Sequence, residues 1–356
     1  MMRIEVLPAA FGDCLLVSWG SGESTHRMLI DAGLTKTYHD ALAPRLEVEK
    51  RVVDLEVLVV THIDRDHIAG VLPLLGATPR LVSASDIWFN GYPQLVESDN
   101  LGPKEGEALG KLLAAEKLPW NRAFGGRAVV VPDTGPLPTV ELAGGATITL
   151  LSPRRAKLAK LLAFWSDELG TWDAPAAPAP PVAGPSDLLG KRAAITRISV
   201  ADVESFTTEP FEEDTTAPNG SSIAFLLEHD RKRVLFGADA HPSELLHALE
   251  RHSPGKTVEI DAFKLSHHGS ENNLSPKLLE KIVCPRFIVS TNGDSFGHPH
   301  AQAISRLLCL SGPKKTLYFN YASDYTSVWD DRDVLRKFGC EVVYPDSRRG
   351  GVVIEL

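Results

Sequence analysis

The chain has 356 residues, 43% of them hydrophobic, with a formal net charge of -9 and a pI near 5.8. That is enough apolar side chain for a substantial core, and the length allows two domains or one large α/β unit. The acidic balance argues against a broad basic face for gripping duplex DNA, though not against a local basic patch or a small anionic substrate.

"RIEVLP", the turn-like "AAFGD" and "CLLVSWG" read as strand, turn and strand. "HRMLIDAG" is the strand returning after "GSGEST", stopped by Gly33. The opening "MMRIEVLPAA" has a strand's pattern and not that of a signal peptide. No run of about 18 apolar residues exists, so no membrane span is expected. Residues 38–52 suggest a helix, with Leu42 and Leu46 one turn apart but Pro44 between them. "LEVLVVTH" is a β-branched run that predicts one fully buried strand, followed by a short helix at "HIAGVLPLLG". Further strands are predicted at "SDIWFNG", "RAVVVP" and "ATITLLSP", and helices at "GEALGKLLAAEKL" and "RRAKLAKLLAFWSDEL".

Residues 172–187, "WDAPAAPAPPVAGPSD", have no period and read as an extended, mobile loop within an insertion at about 155–215. Order returns at "SSIAFLLEHDRKRVLFGADA", two strands joined by a charged turn. Strand, helix, strand and helix follow at "IDAFKLSHHGS", "SPKLLEKIV", "RFIVSTN" and "HPHAQAISRLLCL", and the tail adds strands at "TLYFN", "EVVYP" and "GVVIEL". Strands dominate both halves with helices between them, which predicts two sheets packed together with helices outside. The four cysteines, Cys14, Cys284, Cys309 and Cys340, form no C-x-x-C and read as reduced thiols of a cytosolic protein.

The chemistry concentrates in "THIDRDH", residues 61–67. His62, Asp64, Asp66 and His67 project from a tight loop at the carboxyl edge of a buried strand. Imidazole nitrogens and carboxylate oxygens there suit Zn²⁺ or Mn²⁺, and so dense a cluster can serve two ions. The plainer alternative is a polar turn in which Asp66 caps the next helix.

The hexapeptide H-x-D-x-D-H resembles the metallo-β-lactamase superfamily motif H-x-H-x-D-H, with Asp64 where the second histidine usually stands. That departure is similar to the branch holding the hydrolase domain of the DNA-uptake protein ComEC and its standalone relatives. "AAFGDCLLV" is similar to the branch's opening G-x-G-D turn with one glycine lost, and "LIDAG" to its strand ending in aspartate. "ITLLSP", "NGSSIAFLLEHDRKRVLFGADA", "FKLSHHGS" and "FGHPH" resemble its remaining signatures, with Ala238 separating Gly237 from Asp239. The resemblance covers nearly the whole chain outside the insertion. It implies one four-layer αββα domain over residues 1–356.

It also implies roles by position. His62 and Asp64 would hold one ion, Asp66 and His67 the other, and Asp239 would bridge both. His268 would be the terminal ligand and His267 a catalytic, substrate-contacting residue, though the two could be exchanged. Asn219 lies where a third-motif histidine is expected; it is a ligand or simply part of an Asn-Gly turn. Asp31 would orient the metal loop by hydrogen bonds rather than bind metal. His298 would face the cleft and donate to a leaving oxygen, or merely start a helix. His300 is expected to be exposed. His26, His39, His229, His241, His247 and His252 receive no role.

Two such ions lower the pKa of water toward about 7 and so supply a hydroxide nucleophile, with Asp66, His267 and His298 around it. No G-x-S-x-G elbow or phosphate-binding glycine loop competes. A carboxylate at Asp64 favours harder ions and phosphoryl oxygens. The resemblance likewise implies phosphodiester cleavage, on nucleic acid or a phosphorylated small molecule. The arginines of "SPRRAK" and "DSRRGG" could meet phosphate but read as surface charges. Two alternatives remain: a metallohydrolase acting on a lactone, thioester or β-lactam, and a partner-binding module without catalysis. No membrane partner is expected, and no protein partner can be read.

Overall fold

The computed structural model describes residues 1–95, 104–170, 193–346 and 349–356. Two mixed sheets dominate. The first has six strands in the order Val352–Glu355, Met2–Val6, Leu15–Trp19, His26–Ile30, Val57–Val59, Ile87–Trp88. The second has eight: Cys340–Val343, Lys315–Phe319, Arg286–Val289, Ala262–Lys264, Lys232–Phe236, Ala224–His229, Thr147–Ser152, Thr139–Glu141.

Alternate side chains of the central strands enter different cores. Val57 and Val59 face the other sheet, whereas Leu58 and Val60 face helices. In the second sheet Phe225 and Leu227 point inward while Ala224 and Leu226 point out to helices. Both faces are therefore apolar, which is why these strands show as continuous hydrophobic runs rather than alternating ones. Leu109, Leu113, Leu161 and Trp165 cover the first sheet, and Leu245, Leu249, Ile304 and Leu307 the second. The result is a four-layer αββα sandwich, the architecture that the resemblance to metallo-β-lactamases implies.

Each sheet has a parallel half, made by His26–Ile30, Val57–Val59 and Ile87–Trp88 in one, and by Lys232–Phe236 through Cys340–Val343 in the other. Asp31, His62, Asp239, the 267–268 pair and Ser290 each lie just past the carboxyl end of one of these parallel strands. Ligands of open parallel sheets gather at that edge, where the chain leaves the ladder and side chains are free to converge.

Some elements differ from the sequence expectation. Within "LEVLVVTH" the buried strand is Val57–Val59, which joins the large sheet, while the leading Leu55 ends a separate strand, Val53–Leu55, paired with Val82–Ala84. The break falls at Glu56, whose carboxylate takes the ring nitrogen of His26 at 2.7 Å. "RAVVVP" buries Val129 and Val131 between the sheets but forms no ladder beyond one bridge at Val131. The side-chain amide of Asn90 takes both backbone groups of Val129, donating to its carbonyl at 2.9 Å and accepting from its N–H at 2.8 Å. The helical stretch Thr35–Glu47 contains a wide turn at Tyr38–Leu42, so Pro44 falls in the first turn of Ala43–Glu47, where it needs no donor.

Within the expected insertion, Arg155–Gly170 is helical as predicted and Val200–Thr208 adds a second helix. The Pro/Ala-rich loop at 172–187 lies outside the described residues. No cysteine is disulfide-linked, and three of the four are buried. No helix among the described residues is long and apolar enough to cross a membrane.

The Asn90 clamp gives a test of the core. Replacing Asn90 by alanine strands the two buried backbone groups of Val129, each worth about 1–3 kcal/mol when unpaired. Urea denaturation should show a loss of about 3 kcal/mol. An unchanged midpoint would mean that water or another group serves Val129 equally well.

Candidate metal centre

The centre is built on tight, tethered loops. Asp31, in left-handed backbone with φ 55°, accepts the Thr61 N–H on Oδ1 at 2.8 Å. Its Oδ2 accepts the Thr61 hydroxyl at 2.7 Å and the Nδ1–H of His67 at 2.8 Å. The opening turn seats on the same loop. Gly12 packs so closely that a Cβ there would stand 1.9 Å from the Asp66 carbonyl oxygen, which also accepts from the Asp13 N–H. Ala10, where the related motif has glycine, keeps the left-handed conformation with φ 57°. Asp64 precedes the short helix Arg65–Ile68, but its side chain makes no capping bond and is 40% exposed at the mouth of the site.

All four imidazoles of the two motifs aim their Nε2 atoms at one oxygen, Asp239 Oδ2. The distances are 3.8 Å from His62, 3.4 Å from His67, 3.8 Å from His267 and 3.7 Å from His268. Asp66 Oδ2 adds a second focus, 3.7 Å from His67 Nε2 and 3.4 Å from His268 Nε2. Asp64 Oδ2 lies 3.5 Å from His62 Nε2.

The far nitrogens fix the protons. His67 Nδ1 donates to Asp31, and His268 Nδ1 to the Ser290 carbonyl at 2.9 Å. His62 Nδ1 meets Thr61 Oγ1 at 3.0 Å, and that hydroxyl's own proton goes to Asp31. His267 Nδ1 meets Asn273 Oδ1 at 3.0 Å. With Nδ1 carrying a proton in each case, Nε2 is the nitrogen left to face the carboxylates, as an N–H donor in the imidazolium or as a lone pair for a cation between them.

This donor set fits divalent metal. The Nε2 atoms of His62, His67 and His268 and Oδ1 of Asp239 are buried without any hydrogen-bond partner. The gaps of 3.4–3.8 Å around Asp239 Oδ2 are longer than ordinary hydrogen bonds. They match two donors sharing one cation, since ligands about 2.1 Å from an ion at a tetrahedral angle stand about 3.4 Å apart. His62, His67 and Asp239 form one group able to hold an ion, and Asp66, His67 and His268 another.

The electrostatics agree. Burial opposes the charge on Asp239, yet His67, His268 and His267 hold its carboxyl well below the usual range. Burial also opposes a charged His67, His268 or His267, but Asp239 foremost pushes all three up, His267 to about 10. The pocket thus demands positive charge. His298 goes the other way: burial, then His300, His267 and His268, push it well below the ordinary imidazole value. Its ring lies 5.0 Å from that of His267 and 6.2 Å from that of His268, and its Nδ1 has no partner.

The sequence reading set His267 apart from His268, whereas the structure brings both to Asp239 at nearly equal distance. Asn219 is buried beside them; its Nδ2 donates to Asp214 Oδ2 at 2.7 Å while its Oδ1 has no partner. His300 is buried rather than exposed, because Nδ1 accepts the Glu271 N–H and the residue begins the helix Ala301–Leu310. His241, left without a role, is buried 3.8 Å from Asp214.

Sequence reasoning passed over Asp13, Lys264, Asp214 and Asn273. Lys264 Nζ, itself buried, donates to Asp13 Oδ2 at 2.6 Å. Asp13 Oδ1 stands 3.4 Å from His268 Nδ1. Against its burial, Lys264 and His268 keep Asp13 well below the usual carboxyl range. The quoted "FGD" and "FKLSHHG" stretches held the signal for that pair; no pattern marks Asp214.

No family model matches the chain, and no curated protein matches it. Among solved structures, Zn²⁺-bound PqqB from Methylobacterium extorquens is similar at 12% identity and a TM-score of 0.45, with all of both chains covered. The metallo-β-lactamase fold protein YhfI from Bacillus subtilis is similar at 13% identity and TM-score 0.39, covering 99% of this chain and 98% of that one. CmlA, a diiron β-hydroxylase from Streptomyces venezuelae, gives 11% identity and TM-score 0.40, and the chain spans 54% of its length. Such likenesses concern the course of the backbone and say nothing of substrate.

Asp31 offers a direct test of the centre. Asp31→Asn replaces one of the acceptors holding Thr61 and His67 by an amide N–H₂. Titration with Zn²⁺ or Mn²⁺ should show affinity lower by about 10- to 100-fold, with the circular dichroism spectrum retained. Unchanged affinity would detach Asp31 from the centre.

Proposed function

We propose that the chain is a binuclear metal-dependent hydrolase of phosphodiesters, in a nucleic acid or a phosphorylated small molecule. The observation that carries this reading is the convergence of four imidazole nitrogens on Asp239 Oδ2, with Asp66 and Asp64 alongside. We assign His62, Asp64 and Asp239 to one ion, with His267, 3.8 Å from Asp239 Oδ2, and the unpartnered Asn219 Oδ1 as further donors. Asp66, His67 and His268, with Asp239, are assigned to the other.

Divalent ions held there would polarise a phosphoryl oxygen and lower the pKa of water toward about 7. The chain's own part is to fix and desolvate this arrangement. Asp31, Thr61, Ser290 and Asn273 hold the imidazoles by their Nδ1 protons, so little reorganises during reaction. His298, neutral in this setting, stands beside His267 and His268 as an N–H donor toward a leaving oxygen.

Charge favours the phosphodiester. Two divalent ions against the carboxylates of Asp64, Asp66 and Asp239 leave about one net positive charge, the complement of a phosphodiester monoanion. A histidine in place of Asp64 would leave about two.

Bis-(p-nitrophenyl) phosphate, nitrocefin, a thioester and a lactone, each assayed with Mn²⁺ and with Zn²⁺, separate the candidates. The phosphodiester should be the substrate turned over, and Asp239→Asn should lower kcat by about 10² or more. Turnover of nitrocefin, thioester or lactone alone would replace this reading with a non-phosphate hydrolase. Failure to bind metal at all would replace it with a partner-binding role.

A further inference from the structure

The stretch before Asn219, within the region read as an insertion, reaches into the centre through one residue. Asp214 is buried, and both of its oxygens are engaged. Oδ1 accepts the Thr216 N–H at 2.9 Å, and the Nε2 of His241 lies 3.8 Å away. The other ring nitrogen of His241 meets Lys157 Nζ at 2.7 Å, so the carboxylate is also approached from the helix Arg155–Gly170. Oδ2 accepts the side-chain amides of Asn219 at 2.7 Å and Asn273 at 3.1 Å.

The Asn273 amide nitrogen is then spent on Asp214 and on the Asp239 carbonyl, at 3.1 and 3.2 Å. Its Oδ1 must face the other way, toward His267 Nδ1 at 3.0 Å, and can only accept. Asn219 Nδ2 also approaches this ring nitrogen, but at 3.3 Å and with its shorter bond spent on Asp214. The closer Asn273 oxygen therefore sets which ring nitrogen of His267 carries its proton, and Asp214, which holds both amides, sets their orientation.

We propose that Asp214 is a positioning residue: through Asn273 it holds the proton of His267 on Nδ1 and so directs Nε2 at Asp239. This rests on the reading of His267 as a metal ligand, and it assigns the segment after Val200–Thr208 a part in the centre. Asp214 touches neither substrate nor the Asp239 carboxylate. Its Oδ2 stands 3.7 Å from His267 Nδ1, beyond hydrogen-bond reach, so its effect passes mainly through Asn273, with Asn219 secured on the same oxygen.

The test uses the full chain labelled with ¹⁵N, metal-free and with Zn²⁺ alone. In the unaltered protein the His267 Nδ1–H should appear as a slowly exchanging ring proton in both states; a Nδ1 without a proton overturns the proposal outright. Asp214→Asn frees the Asn273 amide to turn, so that proton signal should disappear in the Zn²⁺-bound protein and exchange rapidly in the metal-free one, and Zn²⁺ affinity, measured by chelator competition, should fall by about 10- to 100-fold. A folded Asp214→Asn protein that keeps both the proton and the affinity overturns the proposal. Adding Asn273→Asp returns a carboxylate to His267 Nδ1, so the double variant should recover the proton signal and the affinity. A folded double variant without the signal counts against it. If the unaltered protein binds no Zn²⁺, the metal reading fails, while the metal-free spectra still decide the role of Asp214.

Discussion

Everything at the carboxyl edge of the two sheets is arranged around the negative charge of Asp239. Buried carboxylates are costly unless paired, and this edge also holds Asp13, Asp31, Asp66 and Asp214. Lys264 is committed to Asp13. The other compensating groups in contact with Asp239 are imidazoles, each anchored through its far nitrogen so that the near one points inward. Such a cluster is satisfied by added cations, and it would be poor design for a purely structural core, where apolar residues of similar volume pack at lower cost.

The fold makes the convergence possible by joining its two sheets at this edge. Asp13 lies on the turn between two strands of the first sheet, and Lys264 ends a strand of the second. Their ion pair closes the sandwich beneath the site and gives His268 an acceptor on the same carboxylate. Gly12 brings that turn against the Asp66 carbonyl. The metal loop is consequently held from below by Asp31, from the side by the opening turn, and from the opposite sheet by the loop bearing the 267–268 pair.

Much of this could be read in the sequence because the relevant residues are crowded. His62, Asp64, Asp66 and His67 fill four of six consecutive positions after an apolar run, and such density has few structural explanations. Asp31 and Asp239 were found because each ends a strand in a known pattern. Asp214 was not, since its part depends on a loop returning from a segment without periodicity and on an amide's orientation, neither of which composition encodes. Side-chain competition for backbone groups was equally hidden. The Asn90 clamp takes the backbone groups of Val129 in "RAVVVP" that a sheet would otherwise use, and Glu56, held to His26, separates the buried strand from the short strand before it. His300 was misjudged because its burial depends on Glu271, remote in sequence.

The backbone around the centre also departs from relaxed geometry. Ala10, Asp31, Ala238, His267 and His268 all adopt positive φ, between 45° and 57°, without being glycine. Such residues each cost of order 1–3 kcal/mol and persist only where their surroundings over-determine them. At Ala10 and Ala238 a glycine would relax the chain without removing a functional group. At the other three the side chain is the reason the conformation is tolerated, so tension and chemistry reside in the same residues. Loosening one such position slackens its neighbours, so paired changes in this neighbourhood will depart from the sum of the single ones.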